Sequence, residues 1–85
     1  MLKATNIRIN GNMILCTVSG TGFEIELQII IGDWNNITVS DKDYYMEGSL
    51  VRNRIHRLYD EKNGKLPDSF SLYFGWTKKS RLSSR

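Results

Sequence analysis

Phe23-Glu24-Ile25-Glu26-Leu27-Gln28-Ile29-Ile30-Ile31 alternates apolar and polar side chains at period two, the pattern of a β-strand with one face in a core and the other in water. Its odd-numbered side chains, Phe23, Ile25, Leu27, Ile29 and Ile31, require a covering element. The segment from Ser40 to Asn63 is the amphipathic stretch able to supply one. The strand therefore predicts a sheet with a helix against one face.

Upstream of that strand, Thr5-Asn6-Ile7-Arg8-Ile9 alternates like an outer strand and Asn10-Gly11-Asn12 is a turn signal, because Asn and Gly accept positive φ. Met13 to Ser19 then returns antiparallel, with Ile14, Cys16 and Val18 preferred inward over Met13, Leu15 and Thr17. Ser19-Gly20-Thr21-Gly22 makes the second turn, giving a three-stranded meander whose register follows from the clean alternation of the third strand.

Downstream, Gly32-Asp33-Trp34-Asn35-Asn36 reads as a break and Ile37-Thr38-Val39 as a short fourth strand. Ser40, with Asp43 three residues on, resembles a helix N-cap with an acid in the first turn. At about 100° per residue, Tyr44, Val51, Ile55, Leu58 and Tyr59 share a face with Gly48, which either permits close approach to the sheet or marks the true helix start. Asn63-Gly64 and then Pro67 stop the helix. Ser69 to Trp76 alternates once more as a final strand, with Phe70, Leu72, Phe74 and Trp76 on one side. The expected fold is α+β, a small antiparallel sheet of four to five strands in the order β-β-β-(β)-α-β with one helix on one face. Residues 1–76 are read as the domain and 77–85 as a flexible basic tail.

The 85-residue chain is 40% apolar and 25% charged with one proline, a globular composition with little material for a deep cleft. It holds no apolar run near the roughly 18 residues of a membrane span, and Met1-Leu2-Lys3-Ala4 does not begin a long apolar leader, so a cytoplasmic location is expected. The net charge of +3 is uneven: Lys78, Lys79, Arg81 and Arg85 lie in the tail, and residues 1–76 carry −1.

Few residues offer chemistry. His56, the one histidine, lies between Arg52 and Arg57 and is the sole candidate general base, with Asp60 and Glu61 as the nearby acids. One His and one Cys without clustered carboxylates supply no ordinary metal set, so neither metal nor cofactor is expected. Cys16 sits among apolar neighbours and reads as an inert core thiol. Gly20-Thr21-Gly22 precedes a strand and lacks the lysine of a phosphate-binding loop, so it reads as a turn.

Two surfaces compete as binding sites. Glu24, Glu26 and Gln28 on the open sheet face, with Trp34 and Tyr45 as exposed aromatics, suit a protein partner, although Trp34 reads equally as a large aromatic folded back to cap the end of a small core. Arg52, Arg54, His56 and Arg57, joined by Lys78, Lys79 and Arg81, suit nucleic acid. The arginines are interleaved with Glu47, Asp60 and Glu61, and Glu24 and Glu26 repel phosphate, which favours protein. The expected function is a non-enzymatic protein-binding module. Abundant Ile, Asn and Lys in a short chain suggest a more specific form, a phage- or mobile-element-type inhibitor occluding a host or defence protein that acts on nucleic acid. Nucleic-acid binding is the alternative, and an exposed strand edge allows a homodimer.

Overall fold

The computed structural model describes residues 1–73. Strands β1 (Leu2–Asn10), β2 (Met13–Gly20), β3 (Phe23–Ile30), β4 (Asp33–Val39) and β5 (Phe70–Leu72) form an antiparallel sheet in the order β4-β3-β2-β1-β5. Between β4 and β5 the chain makes a 3-10 turn (Lys42–Tyr44) and one α-helix, α1 (Tyr45–Glu61). The α+β architecture and element order are those the sequence implies.

Two-residue turns join the first four strands, and each has a glycine at positive φ: Gly11 at 64°, Gly22 at 80° and Gly32 at 87°. Tight antiparallel connections need that conformation, which side chains other than Asn resist. The register between β2 and β3 is unbroken from Met13↔Ile30 to Gly20↔Phe23, so Ile14, Cys16 and Val18 share a face with Ile29, Leu27 and Ile25. All six are buried, joined by Leu2, Ala4, Ile7, Val51, Ile55 and Leu72.

α1 covers this face with Val51 and Ile55, each fully buried, a contribution of about 1.5–3 kcal/mol per side chain. Gly48 lies against β4, where an added Cβ would stand 2.6 Å from Val39 Cγ1. Of the two roles open to it, close approach is the one it fills, three residues inside the helix. Past Lys62, Asn63 and Gly64 adopt φ of 54° and 86°, and the Gly64 N–H donates to the Tyr59 carbonyl at 2.8 Å, closing the helix.

Three expectations are corrected. Ser40 is not the helix cap: its Oγ accepts from the Glu26 N–H at 2.9 Å and its own N–H donates to the Glu26 carbonyl at 3.0 Å, extending the pairing of β3 with β4. Asp41 caps the 3-10 turn, accepting from the Asp43 N–H at 3.0 Å, and the α-helix begins only at Tyr45, after Tyr44, which makes no side-chain cap hydrogen bond. The break expected at 32–36 shrinks to the turn at Ile31 and Gly32, and β4 runs seven residues from Asp33 to Val39. Its Asn pair is poor strand material, and the ladder does slip between Ile29 and Ile30, but packing against α1 holds the segment extended. β1 also carries an unforeseen irregularity: Asn6 adopts φ 55°, the register shifts between Thr5 and Arg8, and the Ile7 N–H turns to the Asp68 carbonyl at 3.0 Å.

β5 pairs Leu2↔Leu72 and Ala4↔Phe70 with β1. Phe74, Trp76, the boundary at residue 76 and the tail with Lys78, Lys79 and Arg81 lie outside the described residues.

Candidate functional site: an acidic sheet edge

Among the described residues one face of the sheet has no helix on it, and its register lays out the charges. Lys3 pairs with Ser19, which pairs with Glu24; Thr5 with Thr17, which pairs with Glu26; Arg8 with Leu15, which pairs with Gln28 and, beyond it, Thr38. Cations therefore stand on β1, acids on β3, and the neutral residues of β2 separate them. Glu24, Glu26 and Gln28 are all exposed in a row, and Thr17 Oγ1 donates to Glu26 Oε2 at 3.0 Å.

The acids continue around the edge of the fold. Ser40 is bonded to Glu26, and Phe23 stacks on Tyr44 with ring centroids 4.2 Å apart, so the start of β3 and the 3-10 turn are neighbours. This draws Asp41, Asp43 and Glu47 to the same end of the molecule as Glu24 and Glu26. From Phe23 to Gly48 the chain holds six acids and a single base, Lys42, a net charge of −5. Tyr45 and Met46 are exposed within this region, at 47% and 69% of their surface. Tyr45 lines a shallow groove of about 400 Å³ with Ile37, Thr38, Val39 and Lys42. Met46 and Glu47 line a second, of about 260 Å³, with Phe23, Leu50 and Met1.

Trp34 is elsewhere. It projects toward α1, where its indole stacks on the His56 imidazole with centroids 4.2 Å apart and planes 10° from parallel, and it tilts against Tyr59 at 5.3 Å. Arg52 reinforces the contact: Nη1 donates to the Trp34 carbonyl, Nη2 to Ser49 Oγ at 2.7 Å and Nε to Asn53 Oδ1 at 2.8 Å. The five residues proposed for protein contact thus divide: Glu24, Glu26 and Gln28 on the open face, Tyr45 beside the β4 edge, and Trp34 half-buried against α1.

The basic set divides too. Arg52 is committed to holding β4, and His56 lies between Trp34 and Asp60, whose Oδ2 is 3.3 Å from Nε2. Arg54 is half-buried and Arg57 exposed. Cys16 is wholly buried, and that burial pushes its thiol up to about 12, with Glu26 adding to the rise and Arg8 opposing it. Among the described residues no three His, Cys, Asp or Glu side chains gather as a metal set, and no helix is long and apolar enough to cross a membrane.

Sequence reasoning missed Met46 and Lys42, and it expected an exposed strand edge without assigning it to β4. The net charge of residues 23–48 was the available signal for the acidic edge, but it acquires meaning only when β3, β4 and the helix start are known to be neighbours. Comparison with known proteins returned no family model, no curated protein and no solved structure that matches the chain.

Proposed function

We propose that the chain is a non-enzymatic protein-binding module that sets its acidic edge against a basic surface of a partner. In its specific form it is a small inhibitor, of the phage or mobile-element type, that occludes a host or defence protein acting on nucleic acid. Proteins that handle nucleic acid carry cationic surfaces to meet phosphate, and an acidic rim with apolar anchors competes for the same surface. The observation that carries the reading is the acidic balance of residues 23–48, with Glu24 and Glu26 exposed on the open face and Asp41, Asp43 and Glu47 on the adjoining turn and helix start, where Tyr45 and Met46 are exposed. Acids give long-range attraction and partner choice, and the aromatic and thioether side chains give the buried contact.

The test is capture from nuclease-treated lysate by the immobilised chain, in parallel with a Glu24→Lys, Glu26→Lys, Tyr45→Ala variant. One dominant basic protein retained by the parent and lost by the variant supports the reading. Equal retention by both refutes the acidic edge as the contact, and a set of proteins held from untreated lysate but lost on nuclease treatment refutes the reading and favours nucleic-acid binding through Arg54, Arg57 and the basic tail.

A further inference from the structure

Among the described residues β4 is an edge strand, and its outer side has specific hydrogen-bonding groups to offer. In an antiparallel ladder, successive residues aim both backbone groups alternately toward and away from a given neighbour. The Ser40 N–H donates to the Glu26 carbonyl, so two residues back Thr38 faces Gln28, and the N–H and C=O of Ile37 and Val39 point away from the sheet. The stretch Asp33–Val39 contains neither lysine nor proline, the usual guards of an edge strand. At its far end the Trp34 carbonyl is already taken by Arg52, which confines the open part to the half that ends at Val39.

Resting on the protein-binding reading, we propose that this half of β4 accepts an extended segment of the partner as a sixth strand, and that the segment alternates cationic and apolar residues. Residues directly opposite Ile37 and Val39 share their face, which is the helix side, and so enter the groove formed by Ile37, Val39, Lys42 and Tyr45. These positions take apolar side chains. The intervening residues lie on the open face, the one beside Thr38 two strand spacings from Gln28 and so about 12 Å on the diagonal from Glu26, a gap that an extended lysine or arginine and a glutamate close between them. Asp41 and Asp43 stand at the end of the same edge and add to the attraction for cations.

Charge also decides against the other obvious occupant. Pairing β4 with β4 of a second copy would bring together two edges that each carry the −5 of residues 23–48.

A fluorescently labelled peptide of about ten residues alternating lysine and valine tests the proposal by anisotropy on the full chain. Saturable binding is expected, weakened at least tenfold by Glu24→Lys with Glu26→Lys, and absent for a glutamate–valine peptide. The deciding probes are two N-methylated versions. Methylating the valine amides removes the donors that would meet Ile37 and Val39 and should weaken binding at least tenfold; methylating the lysine amides, which face away from β4, should not. Equal binding of both versions, with the charge-reversal effect retained, overturns strand addition and leaves the acidic surface as a docking site. Loss of the charge effect as well removes the protein-binding reading with it. A dimer of the free chain in sedimentation, dissociated by Thr38→Lys, would overturn the choice of partner in favour of a second copy.

Discussion

Replacing Gly48 with alanine should change the sign of its effect according to what stands at position 39. In the helix interior, alanine is favoured over glycine by about 1 kcal/mol. Against that, the new Cβ would lie 2.6 Å from Val39 Cγ1 and 3.4 Å from Leu27 Cδ1. The second distance is tolerable; the first is not. Val39 can escape only by leaving its rotamer, or α1 must lift from the sheet and loosen Val51 and Ile55, and overpacking of this kind costs about 1–3 kcal/mol. The net expectation for Gly48→Ala is a loss of about 0–2 kcal/mol. Val39→Ala alone should cost about 1 kcal/mol, because Val39 is only half-buried. In that background the offending methyl is gone, and Gly48→Ala should stabilise by up to about 1 kcal/mol. Urea denaturation followed by far-UV circular dichroism on the four proteins measures the coupling, about 1–3 kcal/mol in favour of the pair, provided m is unchanged. The same destabilisation by Gly48→Ala in both backgrounds would refute the claim that Gly48 exists to let α1 approach β4.

Three further outcomes are expected. Burial holds the Cys16 thiol at about 12 against an ordinary 9.0, so below pH 9 it does not affect stability. Above pH 9 the unfolded chain deprotonates first, and stability falls until the folded thiol titrates near 12. Between pH 8 and 10 the parent should lose about 1.4 kcal/mol more than Cys16→Ala, and parallel curves would show that the thiol is not protected. Arg52→Met keeps the aliphatic stem but frees the Trp34 carbonyl; it should cost about 1–3 kcal/mol and speed amide exchange in Asp33–Val39 before the rest of the sheet, whereas unaltered exchange there would deny Arg52 its role in pinning β4. At the β1 irregularity, Asn6→Gly should leave the urea midpoint nearly unchanged while Asn6→Val, forced to φ 55°, should cost about 1–3 kcal/mol; equal midpoints would mean the shift in register does not depend on that conformation.

Much of this protein is local in origin, and that part is readable from its residues. Period-two alternation in 23–31, glycines at decade-spaced turns, and the Asn63-Gly64 stop each act within a few residues, so the strands, the hairpins and the end of α1 follow without knowledge of the rest. The inward face of β2, read from its own residues, is a preference between two sets, and it is the register with β3, which sets Ile14, Cys16 and Val18 against Ile29, Leu27 and Ile25, that decides it. Tertiary structure decided the remainder. Asn35 and Asn36 have no intrinsic reason to be extended; the helix against β4 supplies it. Ser40 has the chemistry of a cap, and competition from the Glu26 backbone takes it for the sheet, leaving Asp41 to cap the 3-10 turn that leads into α1. Trp34 and Arg52 look like surface residues until the crossing of α1 over β4 brings one onto His56 and aims the other at a carbonyl. The acids were visible from the start, but bringing the start of β3 beside the turn that carries Asp41 and Asp43, at what is the sheet edge among the described residues, depends on contacts between residues 14 or more positions apart, such as Glu26 with Ser40, and only the folded chain sets those distances.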